Sequence, residues 1–197
     1  MKPYTRNQAE SDLQAALDNH DQDTALAVAD QLDHMPPPPG PSTVGAALWY
    51  ATRGLPVFPI QPGAKTPYPG SHGCKDATTD PGVIAQWWGW YPDANVAIAT
   101  GHRVDVIDFD GAQGHIDWGH KYPTWDDAEV TILGTVSTPR PGGMHVYVPA
   151  TGAGNRAGYV GKHVDYRGLG GYVLVPPSRT EVGPYRWLQP LTLNEVA

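Results

Sequence analysis

Cysteine is nearly absent from this 197-residue chain: Cys74 stands alone, which excludes an internal disulfide and any cysteine-rich zinc cluster. A single thiol makes a reducing cytoplasm the expected compartment. Long apolar runs are missing as well. No stretch approaches the roughly 20 residues that cross a bilayer, so no membrane partner is expected. The opening MKPYTRNQAESD has no apolar core of the kind a secretory signal carries. Positive charge is scarce, with 13 Lys and Arg against 20 Asp and Glu and a net charge of −7. That balance argues against tight unassisted binding to nucleic acid, while leaving room for a locally basic groove. What the chain does have is glycine (23), proline (21) and seven tryptophans, with 40% hydrophobic residues. Such a composition builds a packed core from short strands, turns and long ordered loops.

The charge is concentrated at one end. Residues 1–35 hold Lys2 and Arg6 against Glu10, Asp12, Asp18, Asp21, Asp23, Asp30 and Asp33. Asn7 and Glu10 have capping-box spacing, and Ala9, Leu13, Ala16 and Leu17 form a modest apolar stripe. A break at Asn19-His20-Asp21 precedes a second stripe of Leu26, Ala29 and Leu32. We read 1–35 as an acidic helical extension, packed on the body or used for docking, and 36–42 as a proline-rich linker that no helix crosses. The main domain is expected over 43–190. Ser42 caps a helix that runs over Thr43–Arg53 and closes at Gly54. Leu55–Ile60 suits an edge strand because of Pro56 and Pro59. A long loop follows, then a helix from Pro81 capped by Thr79 or Asp80. Its Trp87, Trp88 and Trp90 read as packing residues rather than stacking platforms. Strands are expected at 95–100 and 104–108, joined by a tight Gly-His turn, and at 136–138, 144–148, 164–167, 171–175 and 185–188. Residues 112–130 suggest a short helix and loops. The pattern is α+β, with a mainly antiparallel sheet.

One stretch poses a chemical question. "VDVIDFDG" (104–111) ends an apolar run with Asp108 and Asp110, which strand alternation places on one face. Two anions so placed repel by about 1–4 kcal/mol at close range. A divalent cation would offset that repulsion; alternatively, Asp110-Gly111 is an ordinary turn. Further along, "STPRPGGMHVYV" (137–148) leads His145 into a strand through a Gly-Gly loop. "HVDYRGLGGYVLVPPS" (163–178) sets Asp165 two positions before Arg167. Three carboxylates can hold two magnesium-like ions, and Lys65, His145 and Arg167 could then neutralise triphosphate oxygens. The Gly142-Gly143 backbone can approach a phosphate or base closely. Other readings stay open here. Lys65 suits a solvated loop, Arg167 suits a partner that orients Asp165, and Arg140 and Lys75 suit ordinary surface charges. His72, His102, His115, His120 and His163 lack metal-ligand spacing, and Cys74 sits isolated.

In this form the sequence resembles the bifunctional primase–polymerase domain family of the archaeo-eukaryotic primase superfamily. The resemblance spans about residues 44–188 through six ordered phrases: "RGLPVFPIQPGAKTP", "KDATTDPGVIAQWWGWYPDANVAIATG", "VDVIDFDG", "STPRPGGMHVYV", "VDYRGLGGYVLVPPS" and "GPYRW". It implies an RRM-like sheet plus an N-terminal α/β module, with the active site in the cleft between them. It also implies Asp108, Asp110 and Asp165 as catalytic metal ligands for two Mg²⁺ or Mn²⁺ ions. His145 would contact the nucleotide, with Lys65, Arg167, Thr138, Gly142 and Gly143 as further nucleotide-binding positions. The zinc-binding stem of several relatives cannot be built from one cysteine.

The expected activity is template-directed joining of NTPs or dNTPs on single-stranded DNA, with a template and primer as partners. The resemblance also implies the front domain of a replication primase–helicase of a phage, plasmid or related element, working beside a helicase domain or replisome protein. Two other function classes are kept: a D-x-D metal-dependent nucleotide-sugar glycosyltransferase, and a non-catalytic nucleotide- or DNA-binding replisome module.

Overall fold

The structure, a computed structural model, describes residues 43–193 together with Asp12, Ala15 and Thr24. The expected helical extension (1–35) and linker (36–42) therefore lie, those three positions apart, outside the described residues. Within 43–193 the chain is α+β, with three α-helices and two antiparallel sheets. The helices are α1 (Thr43–Thr52), α2 (Pro81–Trp90) and α3 (Ala112–Lys121). Strands are β1 (Val57–Ile60), β2 (Asn95–Ala99), β3 (Val104–Phe109), β4 (Gly134–Ser137), β5 (Met144–Pro149), β6 (Val164–Arg167), β7 (Tyr172–Leu174) and β8 (Arg186–Gln189).

Local chemistry sets most of the boundaries. α1 stops where Gly54 takes φ +73° and its N–H donates to Ala51 O. α2 starts at Asp80, whose carboxylate accepts from the Gly82 and Val83 N–H groups at 2.7 and 3.0 Å, with Pro81 in the first helical position. β1 carries Pro59 and lies at a sheet edge, where a missing N–H breaks no ladder. The unclear stretch 112–130 resolves into α3 and a 3₁₀ turn at Asp126–Ala128.

Sheet one has the order β1-β2-β7 and is backed by α1 and α2; sheet two has the order β6-β3-β5-β4-β8. Here the sequence reading needs a refinement. β2 and β3 are joined by the expected tight turn, closed by Gly101 N–H to Val104 O at 2.9 Å, yet they do not pair with each other. β2 belongs to sheet one and β3 to sheet two, and β6 and β7 divide the same way. The module built on α1, β1, α2 and β2 is thus completed by β7, from late in the chain. The two crossings touch: Thr100 Oγ1 donates to Gly168 O at 2.7 Å, and Thr100 N–H donates to Gly171 O at 3.0 Å.

Alternation along sheet two separates two cores. Val104, Val106, Val136 and Tyr147 join the buried cluster that includes sheet one, α1 and α2. Ile107, Phe109, Val146, Val148, Val164 and Tyr166 face the other way, against Trp118 of α3. Asp108 has the parity of Val104 and Val106, so it falls on the face turned toward sheet one.

Candidate active site

Strand register assembles the polar site. Asp108 on β3 is opposite His145 on β5 and opposite Asp165 on β6, which gives a lateral row His145–Asp108–Asp165 across three neighbouring strands. One step back, Val106 is opposite both Tyr147 and Arg167, so Arg167 flanks the row on the same face. Its Nη2 donates to Asp108 Oδ2 at 3.0 Å and to Asp165 Oδ2 at 2.9 Å, while Nε donates to Asp108 Oδ2 at 3.3 Å. A single guanidinium therefore offsets the repulsion between two carboxylates on adjacent strands. The other Asp165 oxygen accepts from Gly158 N–H at 2.9 Å.

His145 is 5% exposed, with Nε2 at 3.5 Å from Asp108 Oδ1 and its ring tilted against Tyr185. Burial pushes its pKa below the ordinary histidine value. Asp108 opposes that shift, and the Lys65 and Arg167 cations add to it. The ring is thus neutral at pH 7, and its buried Nδ1 has no hydrogen-bond partner.

These side chains open on a cavity of about 240 Å³ lined from both sheets, by Lys65, Asp108, His145, Asn155, Arg167 and Tyr185 along with Gly170–Leu174. Lys65 arrives on the loop after β1, where Tyr172 Oη donates to its carbonyl at 3.0 Å. Gly171 is required at the rim, since a Cβ there would lie 2.2 Å from Asn155 Oδ1.

Asp165 is not itself in the lining and adjoins it through Arg167, and the remaining expected residues lie apart from it. Asp110 follows β3, and its carboxylate accepts from Arg140 Nη1 at 2.8 Å, with both side chains about half exposed. Gly142 packs on the start of α3, where a Cβ would come within 2.7 Å of Ala112 N, and its carbonyl lies 2.9 Å from His115 Nε2. Thr138 N–H donates to Gly143 O at 3.0 Å, and its hydroxyl fills the space a Gly143 side chain would need. The Gly-Gly loop is therefore braced against α3 and its own strand. Sequence reasoning did not single out Asn155, Tyr172 or Tyr185 as site residues, although Tyr185 lies within "GPYRW". It also set Arg140 aside as a surface charge, whereas Arg140 holds Asp110.

The donor chemistry suits a hard divalent cation, because carboxylate oxygens are its usual ligands and Asp108 and Asp165 already share a cationic group. Among the described residues no three His, Cys, Asp or Glu side chains stand grouped as a metal set; Arg167 pairs with Asp108 and Asp165, and Arg140 with Asp110. The described residues contain no helix long and apolar enough to cross a membrane.

Comparison with known proteins adds one finding. The family model of the N-terminal domain of bifunctional DNA primase/polymerases matches residues 47–197. Comparison with curated proteins gave no match.

Proposed function

The chain belongs to the bifunctional DNA primase/polymerase family, in its N-terminal domain, and from that premise we propose that it joins NTPs or dNTPs on a single-stranded DNA template. The observation that carries this reading is the His145–Asp108–Asp165 row, of which His145 and Asp108 open, with Lys65 and Arg167, on a cavity between two sheets while Asp165 meets it through Arg167. Asp108 and Asp165 would hold Mg²⁺ or Mn²⁺, with Asp110 as third ligand once Arg140 releases it. Such ions, when bound, lower the pKa of an attacking hydroxyl and offset the charge of a leaving pyrophosphate.

The chain's own groups bind and position. Lys65 and Arg167 meet the triphosphate oxygens, so Arg167 exchanges a carboxylate partner for a phosphate one. His145, kept neutral by burial, offers a hydrogen bond rather than a charge. Gly170, exposed at the rim with open space around it, allows a sugar or base to come close. The primer 3′-hydroxyl attacks the α-phosphate in line; its proton is released, the new P–O bond forms, and the bond to pyrophosphate breaks. Positioning and charge stabilisation supply most of the acceleration. A helicase domain or replisome protein would deliver the template in the cytoplasm, because the net charge of −7 gives this chain little grip of its own.

The test is extension of a primed and an unprimed single-stranded template with labelled nucleotides of both sugar types and Mg²⁺ or Mn²⁺. Asp108→Ala and Asp165→Asn are expected to lower extension by at least about 100-fold. Unchanged rates in both variants would refute the assignment. Transfer to a sugar acceptor without template would indicate the glycosyltransferase class, and nucleotide binding without any product a non-catalytic module.

A further inference from the structure

Positive charge, scarce in this chain, gathers beyond the outer edge of β6. Lys121, the last residue of α3, sets Nζ 4.9 Å from the centre of the Tyr122 ring and 5.8 Å from that of Tyr159. Arg156 brings its guanidinium carbon to 5.7 Å from the same Tyr159 ring. Both cations are exposed, and both tyrosines are half-buried. An aromatic face attracts each cation, but two cations about one ring repel each other. No carboxylate relieves them: among the described residues, Lys121 and Arg156 form no ion pair. The acids close by in the chain are engaged elsewhere, Asp117 with His163 and Gln113, and Asp165 with Arg167 and Gly158. Residues 154–163 contain no Asp or Glu. Exposed cations beside aromatic rings, with no anion of their own, suit a phosphate backbone whose bases pack against the rings.

The same loop reaches the His145–Asp108–Asp165 row. Arg156 exchanges two backbone hydrogen bonds with Tyr166 of β6, each 2.8 Å. That pairing puts Arg156 on the Tyr166 face, toward α3, whereas Asp165 and Arg167 alternate to the face turned toward sheet one. One residue earlier, Asn155 lines the cavity; its Oδ1 accepts from Gly168 N–H at 3.1 Å, which leaves the amide N–H groups free. Two residues after Arg156, Gly158 N–H holds Asp165. At most about 14 Å of backbone separates Asn155 from Tyr159. A strand of a few nucleotides laid around the β6 edge meets both. We propose that Lys121, Arg156, Tyr122 and Tyr159 form a binding surface for single-stranded DNA, which guides the strand around the edge of β6 to the His145–Asp108–Asp165 row. The choice of DNA as occupant rests on the proposed nucleotide joining, while the surface itself rests on charge complementarity. A hold made by two cations is weak and salt-sensitive, in keeping with a chain of net charge −7.

The test is the affinity of the full chain for a labelled oligo-dT, read by fluorescence anisotropy over a salt series in metal-free buffer. The double variant Lys121→Gln, Arg156→Gln is compared with a control of equal net charge, Lys75→Gln, Arg179→Gln, whose exposed cations lie elsewhere. Melting curves establish that both proteins fold. At low salt the first variant is expected to bind at least about tenfold more weakly than the parent, and the control within about threefold. The slope of log affinity against log salt should flatten by about 1.4 in the first variant, two phosphate contacts at about 0.7 each. Lys121→Arg with Arg156→Lys, which keeps both charges, should retain binding. Equal losses in the two charge-matched variants, or an unchanged salt slope in the first, would overturn the proposal. So would displacement of the oligo-dT by polyglutamate as readily as by unlabelled oligo-dT, which would mark a site for an acidic protein segment. Binding is read apart from extension, so the two readings fail separately. A parent that binds oligo-dT through Lys121 and Arg156 yet extends no primer supports the surface and refutes nucleotide joining. A parent that extends primers, with template affinity unchanged in the double variant, refutes the surface alone.

Discussion

Arg167 is the residue on which the charge balance of the site turns. It bridges Asp108 and Asp165, so a divalent ion bound by these carboxylates would compete with it for the same oxygens. Removing it with Arg167→Ala leaves the carboxylates facing one another across neighbouring strands. In metal-free buffer this should lower unfolding free energy by about 1–2 kcal/mol, reduced from the value of a fully buried pair because the side chain is 35% exposed. Added Mg²⁺ or Mn²⁺ should then raise the melting temperature of the variant more than that of the parent. Equal responses would mean that the ion and the guanidinium do not share ligands. His145 gives a pH signature. An unfolded imidazole takes up its proton as pH falls through 6.5, whereas the buried ring resists until lower pH. The unfolded state thus binds more protons in that window, and the fold loses stability as pH drops below 6.5 toward the depressed folded value. Urea unfolding of the metal-free protein at about pH 7.5 and about pH 5.5 should show a larger acid loss in the parent than in His145→Gln.

At the scale of elements, the joint between β2–β3 and β6–β7 decides the shape of the cavity. Gly101 holds φ +88°, and a Cβ there would stand 2.3 Å from Leu169 Cα and 2.5 Å from Leu169 N. Backbone cannot yield as a side chain does. Gly101→Ala should destabilise the protein by more than about 2 kcal/mol. Gly170, at φ +83° with open space around it, should cost only about 1 kcal/mol as Ala. Chemical denaturation of the two variants compares strain plus clash with strain alone; equal losses would discount the close approach. The turn at Gly101 was legible in the sequence, but its partner was not, because Leu169 lies 68 residues downstream and contributes backbone rather than a patterned side chain. The same limit applies to the Gly-Gly loop. Gly142-Gly143 signals a close approach, and only the position of α3 shows that Ala112 is what it approaches.

Across the whole molecule, each sheet takes a strand from the far side of a crossing, so the two sheets are expected to unfold together. Trp49, Trp87, Trp88 and Trp90 lie in or beside the helices that back sheet one, and Trp118, Trp125 and Trp187 lie with sheet two. Unfolding curves from tryptophan fluorescence and from far-ultraviolet circular dichroism should therefore superimpose. Separated midpoints would show that the two sheets are independent units. This connectivity also brings the two halves of the cavity together: Lys65 and Tyr172 enter it with sheet one, and Asp108, His145 and Arg167 with sheet two.

Strand alternation, caps and turns are local properties, and for that reason the sequence alone determined the edge strand at Pro59, a cap at Thr79 or Asp80 (the structure shows Asp80), the two strands flanking the Gly-Gly loop and the α+β class. It also determined which residue types stand at the strand ends, and hence the family. Register and sheet membership depend on contacts between segments tens of residues apart. Only the tertiary structure could therefore align His145, Asp108 and Asp165 in one row, place Arg167 between two carboxylates, turn Asp110 onto Arg140, and separate β2 from β3 into different sheets. The physical reason is that a side chain's neighbours along the chain set its conformation, whereas the charges it meets across a ladder set its chemistry.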